Sequence, residues 1–234
     1  MYHINFPKDV LNLSEFQIVA QGGERLVYQS ELYPELLFKL QKRAFERGLK
    51  PWDLKSFLLR TNPNFRNYIV VRENKEFVNL CLNGAIPTNK LPIARLYGFA
   101  ESDKGTVQIV EKISIDGHRI GPTLDAIFSK CDFGAHDLAM LNRFALDLLN
   151  SRLATNDVSP SNIVLGRGSD GEQRFVLVDG IGDIQVIPIL TFFQAARKAH
   201  LVRRFTKIGG MRLDFDPATF EFSLAAGAKA TSPD

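Results

Sequence analysis

The chain has 234 residues, 45% of them hydrophobic and 24% charged, with a formal net charge of +3. That length suits one domain with two lobes, and that composition suits a soluble globular protein. The small charge gives no argument for nucleic acid as a partner, no apolar run approaches membrane-spanning length, and Met1-Tyr2-His3-Ile4-Asn5 lacks the charged start and apolar run of a signal peptide.

Residues up to about Ser14 read as a leader. Strands are predicted at Phe16–Ala20, Arg25–Ser30 and Leu36–Gln41, the first two joined by the turn Gln21-Gly22-Gly23-Glu24. Lys39 lies inside the apolar run of the third strand, where an ammonium group needs an anionic partner. The plainer alternative is a lysine whose tip reaches solvent. The segment Gln41–Asn67 is basic at its start and contains Trp52 and breaks near Asn62-Pro63-Asn64. A helix follows at about Arg66–Leu82. Val70, Glu73, Phe77, Leu80 and Cys81 share one of its faces, which puts Glu73 on the buried side, in need of a partner. Glu76 falls to one side and is expected to be solvated.

Ala94–Ala100 and Val107–Ile113 read as a strand pair joined by Ser102-Asp103-Lys104-Gly105, with Glu111-Lys112-Ile113 as the connector into the next part of the chain. Asp116-Gly117-His118 is a turn beyond it. A short helix starts at Thr123. A long one, at about His136–Ala154, carries Leu141, Phe144, Ala145, Leu148 and Leu149 as a core stripe. A loop, strands at Asn162–Leu165 and Arg174–Val178, and a last helix near Leu190–Ile208 complete the order. That helix carries Arg197, Lys198, Arg203, Arg204 and Lys207 beside Phe193, Ala196, Leu201 and Phe205. It reads as a packed helix with a solvated basic face rather than a surface for an acidic protein, nucleic acid or anionic lipid. Ala225–Asp234 is small and polar and reads as disordered. Cys81 and Cys131 are expected to be buried free thiols of a reducing compartment, and the four histidines show no zinc-ligand spacing. The expected location is cytoplasmic. Oligomeric state has no signal in the sequence.

Two strings carry the chemistry. Thr155–Leu165, TNDVSPSNIVL, holds an Asp, four intervening residues, an Asn and an apolar run. Phe175–Gly182, FVLVDGIG, is an apolar run closing on Asp-Gly. In this order they match the catalytic loop and metal-binding Asp of protein-kinase-like folds. There, one Asp meets the nucleophile, while an Asn and a second Asp hold magnesium against the phosphates. Asp157, Asn162 and Asp179 take those places. Aligned on Val27, the Gly-rich phosphate loop of kinases matches only at Gly22, and Gly23 adds turn freedom.

The strings VAQGGERLVYQ, LLFKL, VRENKEFVNL, LPIARLYGFAES, TLDAIF, NDVSPSNIVL and LVDGIGDIQVIPI resemble the PhoP regulatory network protein family, YrbL-like, from about Phe16 to about Gly209. The Ile-Pro after Asp-Gly-Ile-Gly is its most specific feature. The resemblance implies a bacterial, α+β, protein-kinase-like two-lobed fold with a truncated C-lobe. Residues 1–234 would form a single kinase-like domain: an N-lobe at 15–113 with an antiparallel sheet and a helix, a reduced helical C-lobe at 114–210, and a disordered tail at 225–234.

On that reading the chain binds ATP and Mg2+ between the lobes. Gly22, Gly23 and Val27 cover the nucleotide, Lys39 holds its α- and β-phosphates, and Glu73 fixes Lys39. Backbone groups of Glu111 and Ile113 read an adenine edge, Asp157 orients the nucleophile, and Asn162 and Asp179 bind metal. The departures are specific. Thr155-Asn156 replaces the usual His-Arg, Ser159 stands where a loop lysine is usual, Ile181 replaces Phe, and no Ala-Pro-Glu string follows. The expected function is therefore phosphotransfer to an unknown, non-peptide acceptor. The alternative is a catalytically weak nucleotide-sensing or scaffold protein in a bacterial regulatory or stress response.

Overall fold

A computed structural model describes residues 4–42, 63–84, 86–182, 190 and 193–225. The Trp52 segment, the Ile-Pro of the most specific string and the tail beyond Ala225 lie outside the described residues. The chain divides into two compact units, Met1–Val71 with Arg95–Lys112, and Arg72–Ala94 with Ile113–Asp234.

The first unit is built on a five-stranded antiparallel sheet in the order β1-β2-β3-β5-β4. Its strands are β1 (Gln17–Gln21), β2 (Arg25–Gln29), β3 (Leu36–Gln41), β4 (Leu96–Ala100) and β5 (Val107–Glu111). Alternation along β3 sends Leu36 and Phe38 into one core with Tyr28, Val107 and Ile109 and sends Lys39 to the other face. Lys39 pairs in register with Val27 on β2 and Gln108 on β5. The stretch before Ser14 is no loose leader: Leu11 and Leu13 are buried in this core, and Leu13 N–H is held by Asp103 Oδ1 at 2.9 Å.

Helix α1 (Pro63–Asn83) follows β3 in sequence, and the division between units falls within it, after Val71. Pro63 opens it instead of breaking the chain, because a first helical position needs no intrahelical N–H bond. The second unit holds the rest of α1, then α2 (Leu124–Lys130) and α3 (Ala135–Ser151). It continues with the hairpin β6 (Ile163–Arg167) and β7 (Gln173–Leu177), then α4 (Gln194–Arg212). Thr123 caps α2 by accepting from Ala126 N–H at 3.1 Å. The α3 stripe is as expected: Leu141, Phe144, Ala145 and Leu148 are buried and Leu149 partly so. Each large apolar side chain buried in this way stabilises the fold by about 1.5–3 kcal/mol.

Three expectations are corrected. The last helix runs four residues further, to Arg212, and a further hairpin follows it: β8 (Leu213–Asp216) and β9 (Glu221–Leu224). Phe215, Phe220 and Phe222 of this hairpin pack around the buried Phe205 of α4, which accounts for the ordered chain beyond residue 210. Glu76 is buried, not solvated, because its Oε1 accepts from Ala154 N–H at 2.7 Å. Cys131 is exposed at the end of α2, in a left-handed conformation that turns it away from the helix.

The α+β class and the element order are those of the expected kinase-like fold: an antiparallel sheet, a helix between its third and fourth strands, and a helical unit carrying the loop and hairpin. Among the described residues no helix is long and apolar enough to cross a membrane.

Candidate functional site

In the second unit, α3 ends at Ser151 and the chain turns back through Arg152, in left-handed conformation, into Leu153-Ala154-Thr155. Leu153, Ala154 and Thr155 are buried. Two anchors fix this approach. Glu76 of α1 holds Ala154 N–H, and Ala154 carbonyl accepts from Gly182 N–H at 2.8 Å. The loop is thereby tied to the segment that follows β7.

Gly180 is the knot between them. Its carbonyl accepts from Thr155 Oγ1 at 2.8 Å and from Asn156 N–H at 2.8 Å, and more loosely from Asp157 N–H at 3.4 Å. Thr155 therefore ties the loop to the turn after β7 through its side chain. Gly180 has φ 79°, and a Cβ there would lie 2.6 Å from the carbonyl oxygen of Asp157. Both facts require glycine at this position.

Beyond Thr155 the loop delivers its polar residues. Asp157 is about half-exposed, and its Oδ2 accepts from Asn162 Nδ2 at 3.0 Å. A turn of 3₁₀ helix at Pro160–Asn162 closes the loop, with Asn162 N–H bonded to Ser159 carbonyl. Asn162 carbonyl then accepts from Val178 N–H at 2.9 Å, extending the β6–β7 pairing to the residue before Asp179. The hairpin register thus delivers Asn162 and Asp179 from adjacent strand ends. Asp179 Oδ1 accepts from Gly180 N–H at 2.9 Å. The three residues expected to form the catalytic and metal-binding set are brought together in this one unit.

Arg204 joins them, although its helix reads as a solvated face. Its Nη2 donates to Asn156 carbonyl at 2.6 Å, and its Nη1 lies 3.8 Å from Asp157 Oδ1. Of the other basic residues on α4, Lys198, Arg203 and Lys207 are exposed. Arg197 donates to Leu190 carbonyl at 2.9 Å. Burial lowers the pKa of Arg197 against the opposing pull of the Glu76 charge. A helical wheel leaves Arg204 at the edge of the apolar face, between Leu201, Phe205 and Ile208, which was the available signal.

In the first unit, the Gly22–Glu24 turn closes through Gly22 N–H to Arg25 carbonyl at 2.9 Å. Lys42 anchors it, N–H to Glu24 carbonyl at 2.8 Å and Nζ to Gly22 carbonyl at 2.7 Å. Neither Gly22 nor Gly23 has positive φ, and a Cβ on Gly23 would meet nothing within 4 Å. The fold itself does not demand glycine there. Lys39 lines a cavity of about 530 Å³ with Gln41, Val70, Val71, Phe99 and Gln108. The Gln108 amide is buried without a hydrogen-bond partner among the described residues.

The connector is more committed than expected. Glu111 N–H bonds Arg95 carbonyl, and its carboxylate accepts from Arg95 N–H at 3.1 Å. Ile113 carbonyl accepts from Gly121 N–H at 2.9 Å. The Glu111 N–H and the Ile113 carbonyl are thus used within the protein. Glu73 belongs to the second unit and is buried, as its helical face predicts.

No three-residue cluster of His, Cys, Asp or Glu suited to a metal occurs among the described residues. The donors present still fit magnesium held against phosphates, which takes one or two carboxylates and draws its other ligands from substrate and water. Asn162 spends its amide nitrogen on Asp157, so its oxygen is the atom that can ligate a metal.

Residues 11–210 match the family described as PhoP regulatory network protein YrbL. Among solved structures, WbdD is similar at 13% identity and a TM-score of 0.47, over 82% of this chain and 37% of that one. Another WbdD structure, described as a bifunctional kinase-methyltransferase, matches at 12% identity and a TM-score of 0.44, over 79% and 34%. Rad53 1-466 in complex with AMP-PNP matches at 16% identity and a TM-score of 0.43, over 71% and 39%. This chain thus spans little more than a third of each of those proteins. A comparison with curated proteins returned no match. The extent of the family match is decisive: the chain belongs to the PhoP regulatory network protein YrbL family.

Proposed function

We propose that this YrbL-family chain binds a magnesium–nucleoside triphosphate, ATP in the simplest case, and transfers its terminal phosphate to a small, non-peptide acceptor. The observation that carries the reading is the second unit's loop. Asp157, Asn162 and Asp179 converge there through one hydrogen bond, one hairpin register and one glycine knot. Structural upkeep alone does not call for a half-exposed carboxylate beside two further metal-capable oxygens.

The first unit supports the same reading from its own side. Gly22 and Gly23 have no steric reason to be glycine, and close approach of a ligand to that backbone supplies one. Lys39 borders a cavity whose buried Gln108 amide lacks a partner among the described residues, so a polar ligand has hydrogen bonds to make there. Lys39 would take the α- and β-phosphates of the nucleotide.

Asp157 then accepts the proton of the acceptor hydroxyl, or of water, as the oxygen attacks. Asn162 and Asp179 would hold magnesium, which when bound offsets charge on the phosphates. The acceptor is proposed to be non-peptide because no Ala-Pro-Glu string, part of the protein-kinase signature set, follows Asp179.

ATP turnover with and without magnesium, in wild type and Asp157→Ala, tests the proposal, with small hydroxyl compounds screened as acceptors. Wild type is expected to release ADP only with magnesium, and Asp157→Ala to bind nucleotide without releasing it. Equal turnover in the two proteins would contradict the role of Asp157. Tight binding with no turnover in wild type would replace transfer with nucleotide sensing.

A further inference from the structure

We infer that Arg204 is the catalytic cation of this site, taking over from α4 the charge that the loop lacks at Ser159. The inference deepens the nucleotide-binding reading above and rests on it.

Phosphoryl transfer spreads negative charge over the oxygens of the migrating group, and a positive group aimed there is among the largest contributions to rate. Ser159 supplies none: its hydroxyl lies 3.1 Å from that of Ser161. Arg204 instead brings its charge up to Asp157. Leu201, Phe205 and Ile208, all buried, seat its helix in the core on both sides of it, so the guanidinium is placed by packing.

The contacts are not those of a purely structural ion pair. Such pairs are usually short and bidentate on the carboxylate. Here the tight bond, 2.6 Å, goes to the neutral carbonyl of Asn156, while the carboxylate of Asp157 is held loosely at 3.8 Å. Nε is buried and has no hydrogen-bond partner among the described residues. A guanidinium offers five N–H donors, and the tight bond uses one. The group is thus anchored by one arm beside the reacting carboxylate, and the loosely held Nη1 is the arm left to meet phosphate oxygens.

The step balances as follows. The acceptor oxygen attacks the γ-phosphorus and forms the new P–O bond. The bond from that phosphorus to the β,γ-bridging oxygen breaks, and ADP leaves with its electron pair. The acceptor proton passes to Asp157 and then to solvent. As Asp157 takes the proton its charge disappears, and Arg204 is released to the oxygens of the transferring group.

The test compares binding of magnesium–ADP with and without fluoroaluminate, whose planar anion mimics the migrating group. Wild type is expected to bind ADP at least about a hundredfold tighter with fluoroaluminate, the scale of one well-placed charge-stabilising donor. Arg204→Met should lose most of that gain while its affinity for magnesium–ADP alone changes less than about threefold. Its ATP turnover should fall in kcat rather than rise in KM. Arg204→Lys should keep part of the gain, and adding Ser159→Lys to Arg204→Met should restore turnover, which a structural role for Arg204 would not permit. An undiminished fluoroaluminate gain in Arg204→Met overturns the inference. A wild type that binds magnesium–ADP but gains nothing from fluoroaluminate overturns it while leaving the nucleotide reading intact. A wild type that binds no nucleotide overturns both.

Discussion

Replacing Gly180 by alanine probes the join between the Asp157 loop and the Asp179 turn. Two costs follow from the geometry. At φ 79° an L-residue with a Cβ is strained by about 1–2 kcal/mol. The added Cβ would also stand 2.6 Å from Asp157 carbonyl oxygen and 2.9 Å from its Cβ. Relieving overlap with backbone by shifting it costs about 1–3 kcal/mol. The expected loss is therefore roughly 2–5 kcal/mol, read as a lowered denaturant midpoint at unchanged slope. Gly171 is the matched control: its φ is 76°, and a methyl group added there would meet nothing within 4 Å. Gly171→Ala should show the conformational cost alone. Because the shift must move Asp157, magnesium-dependent nucleotide affinity should fall in Gly180→Ala and not in Gly171→Ala. Equal destabilisation of the two variants would refute the claim that Gly180 holds the loop by close contact.

Other outcomes are expected elsewhere in the fold. Phe205→Ala removes a fully buried ring packed on Phe215, Phe220 and Phe222; it should cost about 3–5 kcal/mol, and a loss below about 1 kcal/mol on denaturation would show that the C-terminal hairpin is not part of this core. The Asp116 carboxyl is held well below the usual carboxylate range by Arg119 N–H, then the Arg119 guanidinium, then His118 N–H. A depressed carboxyl contributes its stabilisation at neutral pH and loses it as pH falls below the ordinary Asp range. A carboxyl-detected NMR titration should thus find Asp116 ionised to unusually low pH, and Arg119→Ala should raise its titration only partway, since two backbone donors remain. An ordinary Asp titration in wild type would contradict that hydrogen-bond set.

The sequence made the strand and helix order readable because each element keeps its own apolar period, as β3 and α3 show. It also made Asp157, Asn162 and Asp179 readable, because their spacing is imposed by one loop and one hairpin. What it hid depends on partners distant in sequence. Glu76 is buried because Ala154, 78 residues away, offers it an N–H. Thr155 props the loop through a carbonyl 25 residues on, and Arg204 leaves its basic face for a carbonyl 48 residues back. The β8–β9 hairpin was missed for a local reason: its strands are four residues each and its polar turn resembles the start of a tail. Its aromatic residues alternate with polar ones, a period-two pattern that marks it as ordered.

The central claim is that Asp157, Asn162 and Asp179 form a magnesium–nucleotide site. Calorimetric titration of a non-hydrolysable ATP analogue, with and without magnesium, into wild type and Asp179→Ala tests it most directly. The account predicts binding that magnesium strengthens in wild type, and loss of that magnesium dependence in Asp179→Ala, whose main anionic ligand is gone. Equal affinities in the two proteins, or no binding at millimolar nucleotide, would contradict it.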